Sequence, residues 1–198
     1  MISTYKIKPV FQKLLTPLLK ALRKLGFTPN VLTISAILLS FYLSYLLLQG
    51  STNINYYLYV AIGLLFRMML NALDGMMARV YQMQSSTGEI LNEVGDIVSD
   101  VAIFYPLLFL SGLDIRLAFI FIILSVINEF CGVLAKGLSG ERRYDGPMGK
   151  SDRATLIGLI CIAFYFECPL NPYLDYIFSI AVLLVLVSSF VRLKNSIK

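Results

Sequence analysis

Six apolar runs, each near the roughly 20 residues that carry a helix across a bilayer, leave this chain few ways to fold. They fall at about residues 30–49, 54–78, 90–112, 115–136, 154–170 and 174–193. In lipid every backbone polar group needs an internal partner, so runs of this kind become helices packed on one another. A chain of 198 residues that is 58% hydrophobic and 15% charged is not composed like an ordinary soluble domain. The expected fold is an all-α integral membrane protein. Residues 26–198 form a six-transmembrane-helix bundle, and residues 1–25 an N-terminal amphipathic juxtamembrane helix.

Residues 4–24, TYKIKPVFQKLLTPLLKALRK, support the last element by placing leucines and lysines at helical spacing, interrupted by Pro9 and Pro17. The same basic residues also suit a simple topology anchor. Charge is asymmetric along the chain. Counting alternate loops, fifteen of the seventeen Lys and Arg residues fall on one side, with only Arg67 inside a span and Arg116 near the opposite face. The positive-inside rule then puts both termini and the acidic segment described below at the cytoplasmic side of a bacterial or archaeal inner (plasma) membrane. The net charge of +5 follows from that bias and implies no nucleic-acid partner.

The chain contains no histidine. Ser-His-Asp, Cys-His and His-based zinc chemistry are therefore excluded, and a general base has to be a carboxylate. Cys131, Cys161 and Cys168 lie in or beside apolar runs without paired spacing, as small hydrophobes do. Tyr56, Tyr57, Tyr59, Tyr173 and Tyr176 cluster near expected span ends, as an interfacial belt does. The basic start precedes any long apolar core, so no cleavable leader is expected.

Within this greasy background, residues 71–100 carry Asp74, Glu93, Asp96 and Asp100. Each would cost a few kcal/mol at mid-bilayer, about 2.5–3.5 on insertion scales, and such groups usually face a bundle interior and serve a function. Asn71, Asp74, Gly75 and Ala78 share one helical face, and Asn92, Asp96 and Asp100 another. Two facing acidic stripes make an oxygen-rich pocket suited to a hard divalent cation.

The spacing resembles that of the CDP-alcohol phosphotransferase (CDP-alcohol phosphatidyltransferase) family, D-x-x-D-G-x-x-A-R, eight residues, then G-x-x-x-D-x-x-x-D. Here the frame reads Asn71, Asp74-Gly75, Ala78-Arg79, eight residues, Gly88, Asn92, Asp96, with two of four aspartates replaced by asparagine. The resemblance implies phosphoryl transfer from a CDP-activated donor, CDP-diacylglycerol for preference, to an alcohol acceptor, with release of CMP and dependence on one or two Mg²⁺ or Mn²⁺ ions. By position it makes Asp74 a metal ligand and Asp96 ligand and general base. Asn71 and Asn92 take the other ligand positions, as amide oxygens without charge. Glu93 and Asp100 stand close enough in sequence to restore the missing charge. The resemblance further implies a homodimer of six-helix protomers.

Gly75 and Ala78 leave room for a ligand or for a neighbouring helix. Arg79 can reach phosphate oxygens in bidentate fashion. Ser85 is a candidate nucleotide contact or a helix cap, and Asn30 and Thr33 are open to the same two readings. Lys150, Arg153, Arg142 and Arg143 are candidates for gripping a phosphorylated acceptor, although topology alone also calls for cations there. Two other readings compete with the transferase: a catalytically silent CDP-lipid binder, motivated by the two asparagines, and a small cation or proton-coupled transporter using buried acids as a relay.

Overall fold

The computed structural model describes residues 8–197, with side chains from residue 11 onward, so the first seven residues of the expected juxtamembrane helix lie outside it. The described residues form seven α-helices, two short 3₁₀ turns and no strand. The helices are α1 (Lys8–Lys24), α2 (Pro29–Leu48), α3 (Asn55–Val80), α4 (Ser86–Phe104), α5 (Ile115–Ser139), α6 (Lys150–Tyr165) and α7 (Leu174–Ser196).

The amphipathic segment is a helix that runs through Pro17 rather than stopping there. Leu15 and Leu19 pack with Leu32 of α2 and Leu73, Met76 and Met77 of α3, which docks α1 onto the bundle. Helix α2 begins as its sequence dictates, with Pro29 in the first turn and the Thr28 hydroxyl accepting from the Val31 N–H at 3.4 Å.

Among the described residues, four helices are long and apolar enough to cross a membrane: Pro29–Leu48, Asn55–Val80, Ile115–Ser139 and, with the 3₁₀ turn that leads into α7, Asn171–Ser196. The third and fifth expected spans fall short by that measure. Helix α4 puts Glu89, Glu93, Asp96 and Asp100 into 19 residues and yields at Tyr105–Phe109 to a 3₁₀ turn at Pro106. Helix α6 has 16 residues, about 24 Å at 1.5 Å per residue.

The packing is inverted relative to a soluble protein. Leu38, Phe41, Leu65, Phe66, Phe119, Phe130, Leu183 and Phe190 are exposed, whereas Arg67, Asp100, Asn128, Glu129, Arg153 and Arg192 are each 3% exposed or less. An apolar rind around buried charge is what a lipid solvent selects. Helix α2 lies against α3 and α4, α3 against α6, and α5 against α7. Phe121 of α5 anchors the apolar half, with ring centroids 5.1 Å from Phe104 and 5.2 Å from Phe178.

Candidate active site

The polar half of the bundle gathers around the end of α3 and the start of α4. Asp74 is buried, and its Oδ2 accepts the Thr33 hydroxyl of α2 at 2.9 Å. Asp96 of α4 is buried and ion-paired with Lys150 at the N-terminus of α6. Asp74 lies within the electrostatic reach of both Asp96 and Lys150. Asn71 and Asn92 are half-buried, and neither amide makes a side-chain hydrogen bond among the described residues. The two acidic helices thus bring together the first pair of expected residues.

Arg79 closes one side. Its guanidinium folds back over Gly75, so close that a Cβ there would lie 3.3 Å from Nη1. Arg79 is exposed and pairs with no carboxylate among the described residues. Ala78 is half-buried on the same turn. Asn30 stands over α4, with its Oδ1 2.8 Å from where a Cβ on Gly88 would be. Ser85 serves as the N-cap of α4, accepting from the Gly88 N–H at 3.1 Å.

Glu93 and Asp100 are drawn elsewhere. Asp100 binds two guanidiniums, Arg67 at 2.5 Å and Arg153 at 2.9 Å. Glu93 binds Arg142 at 2.7 Å. Their charge is taken up by arginines, so they do not make up for Asn71 and Asn92. Nor are the basic residues of the 137–153 segment free to reach outward as expected. Arg153 is fully buried between Asp100 and Glu129, 2.8 Å from the latter. Arg142 bridges Glu93 and Glu129, the second at 2.8 Å, and stacks on Tyr144 at 4.9 Å. Arg143 donates to the Asn195 carbonyl at 3.1 Å.

Residues outside the sequence frame complete this network. Glu129 of α5 takes Arg153, Arg142 and, at 3.6 Å, Arg192 of α7. Arg192 Nη1 also donates to the Asn128 carbonyl at 2.6 Å, and the Asn128 amide donates to Ser189 at 3.0 Å. The signal for Glu129 and Arg67 was present as charges interrupting apolar runs. Arg192 was indistinguishable from a topology-setting cation.

The loop between α5 and α6 is tied down rather than free. The Asp145 carbonyl accepts from Ser188 at 3.1 Å and from Arg192 at 3.3 Å, and the Arg143 N–H donates to the Gly132 carbonyl at 3.3 Å. Gly146 adopts φ +96°, and a Cβ there would fall 2.6 Å from the Ser188 backbone, so only glycine suits both the turn and the contact.

Asp74, Asp96, Asn71 and Asn92 offer oxygen donors only, the chemistry a hard divalent cation takes. Two carboxylates and two neutral amides carry half the charge of four carboxylates, and among the described residues no group of three or more acids, histidines or cysteines is placed to hold a metal ion.

The bundle thus has an apolar outer surface and buries aspartates of two consecutive helices, α3 and α4, together with an arginine that has no acidic partner among the described residues. The family model for CDP-alcohol phosphatidyltransferase matches residues 27–191, and the chain belongs to that family. It is 39% identical over 193 residues to "Inner membrane protein YnbA" of Escherichia coli (strain K12), covering 98% of this chain and 96% of that one. The fold resembles that of phosphatidylinositol phosphate synthase (PgsA1) from Mycobacterium tuberculosis. With CDP-DAG bound, that structure has TM-score 0.76, 22% identity and coverage of 93% and 94% of the two chains. In complex with manganese and citrate, it has TM-score 0.75, 22% identity and coverage of 91% and 88%. The protein is therefore a multi-pass integral membrane member of the transferases of phospholipid synthesis.

Proposed function

We propose that the protein transfers a phosphatidyl group from CDP-diacylglycerol to the hydroxyl of an alcohol, releasing CMP. The observation that carries this reading is that buried Asp74 and Asp96, on consecutive helices, lie within electrostatic reach of one another, with Arg79 over Gly75 and without an acidic partner among the described residues. Phosphoryl transfer relies mainly on positioning and charge stabilisation, which these groups provide. Arg79 grips the donor phosphates from the Gly75 face, where the missing side chain admits the ligand. Asp96 accepts the alcohol proton as general base, and Lys150 holds its carboxylate in place. Asp74, Asp96, Asn71 and Asn92 would hold one Mg²⁺ or Mn²⁺. When bound, the ion neutralises pyrophosphate charge. Asn30 and Thr33 border the nucleotide side.

In this reading all six apolar helices cross the membrane, α4 and α6 being sheltered by their neighbours, and the acidic end faces the cytoplasm with both termini. The protein functions as a homodimer. A silent CDP-lipid binder is the second reading, favoured by Asn71, Asn92 and the Lys150 ammonium on Asp96.

The test is reconstitution in vesicles with CDP-diacylglycerol, Mg²⁺ or Mn²⁺ and a panel of polar alcohols. CMP release that disappears in Asp96→Asn supports the transferase, and undiminished release in that variant removes Asp96 as the base. Donor binding without release identifies the silent binder. Ion flux without donor binding identifies the transporter.

A further inference from the structure

Two of the arginines expected to grip a phosphorylated acceptor, Arg153 and Arg142, are already neutralised from within, and Arg192 shares their carboxylate. Arg153 is fully buried, with one nitrogen 2.8 Å from Glu129 and 2.9 Å from Asp100. Arg142 divides its two terminal nitrogens between Glu93 and Glu129. Arg192 lies 3.6 Å from Glu129 and gives its shorter bond to a backbone carbonyl. Glu129 is the one carboxylate that all three share, and it is 2% exposed. The cluster adjoins the reacting groups: Glu93 lies one turn before Asp96 on α4, and Asp96 acts electrostatically on both Glu93 and Arg142.

We infer that Glu129 is a specificity-determining residue that suits the acceptor side to alcohols bearing no phosphate group. The inference rests on the transferase reading above. A phosphomonoester carries about −1.5 to −2 charge at neutral pH. To engage Arg153 it would have to displace Asp100 and Glu129, and to engage Arg142 it would have to displace Glu93 and the same Glu129, leaving buried acids without partners. Lys150 is likewise taken by Asp96. At this site that leaves Arg79 as the cation without an acidic partner among the described residues, and the proposed function assigns it to the donor. An unphosphorylated alcohol asks for hydrogen bonds only and leaves every ion pair intact.

The experiment uses the full-length protein in vesicles with matched acceptors, glycerol against glycerol 3-phosphate and inositol against inositol 1-phosphate, read as CMP release. It is joined by equilibrium binding of radiolabelled glycerol 3-phosphate, which needs no turnover. The unsubstituted protein is expected to favour the unphosphorylated member in kcat/KM by at least tenfold and to show no saturable glycerol 3-phosphate binding. Glu129→Gln, which keeps the shape and removes the charge, is expected to gain saturable binding. It is also expected to lower KM for the phosphorylated acceptor at least tenfold while leaving the donor KM within about twofold. Saturable binding of glycerol 3-phosphate to the unsubstituted protein, or preference for the phosphorylated alcohols, overturns the inference. So does a well-folded Glu129→Gln protein without any gain. Should that variant fail to assemble, the unsubstituted protein decides by its own binding result. Donor binding with no CMP release from any alcohol counts against the transferase reading, and the binding comparison then decides the inference alone.

Discussion

Thr33 of α2 and Asp74 of α3 are joined by a buried hydrogen bond of 2.9 Å, across 41 positions of sequence. The hydroxyl also lies 3.1 Å from the Pro29 carbonyl. Its single proton has two acceptors, and the charged one is the stronger claim. The bond therefore fixes the rotamer of a carboxylate that faces the site.

Thr33→Val removes the donor while keeping the shape. Loss of a hydrogen bond to a charged group costs about 1.5–3 kcal/mol, and CMP release is expected to fall by at least tenfold. Thr33→Ser should recover most of it. Equal losses in the two variants would show that packing, not the hydroxyl, is what Asp74 needs.

Asp100 shares two guanidiniums, so Asp100→Asn strands both inside the bundle. Breaking a buried pair in this way costs about 3–5 kcal/mol, and the melting temperature in detergent should fall steeply. The exposed Lys136–Glu89 pair is the internal control, because Glu89→Gln should change stability by less than about 1 kcal/mol. Comparable melting shifts for the two substitutions would contradict the assignment of Asp100 as a structural anchor.

Asn71→Asp and Asn92→Asp return charge to the oxygen donors between α3 and α4. Ligand charge is a main determinant of divalent-ion affinity, so each substitution should tighten Mn²⁺ binding by on the order of tenfold. Electron paramagnetic resonance of free Mn²⁺ reads this directly. Unchanged affinity in both variants would place the ion elsewhere.

Arg79→Lys keeps the charge and loses the planar fork. A point ammonium does not reproduce bidentate phosphate contact, so donor KM should rise at least tenfold with little change in thermal stability, since Arg79 is exposed and makes no ion pair among the described residues. A stability loss with unaltered KM would reverse that role.

The sequence carried the local features faithfully. Apolar run length located the helices, and Ser85, open to two readings, became the N-cap of α4, because a cap depends on only a few adjacent residues. The frame from Asn71 to Asp96 was equally legible, since helical spacing alone sets which faces Asp74 and Asp96 occupy. Partner choice was not. Asp100 and Glu93 looked like spare ligands until helix packing set Arg67, Arg153 and Arg142 against them. Arg153 and Arg142 looked like free grips for the same reason. A pairing such as Arg192 with Glu129 depends on how α5 meets α7, which no short window of sequence encodes. Helix α4 fell short of a spanning helix because it carries acids that the other helices enclose, and α6 because it has only 16 residues.

The hold of α7 on the loop before α6 bears on how the protein is made. Synthesis runs from the N-terminal to the C-terminal side, so the acidic pair is on the chain once residue 96 has been made. Arg192, which grips the Asp145 carbonyl and neighbours Glu129, is made after α3 to α6. During insertion, α3 to α6 must therefore wait in the bilayer with Glu129 short of one cation and the Asp145 loop unfastened. On that order the polar half is complete only once α7 has joined the helices before it.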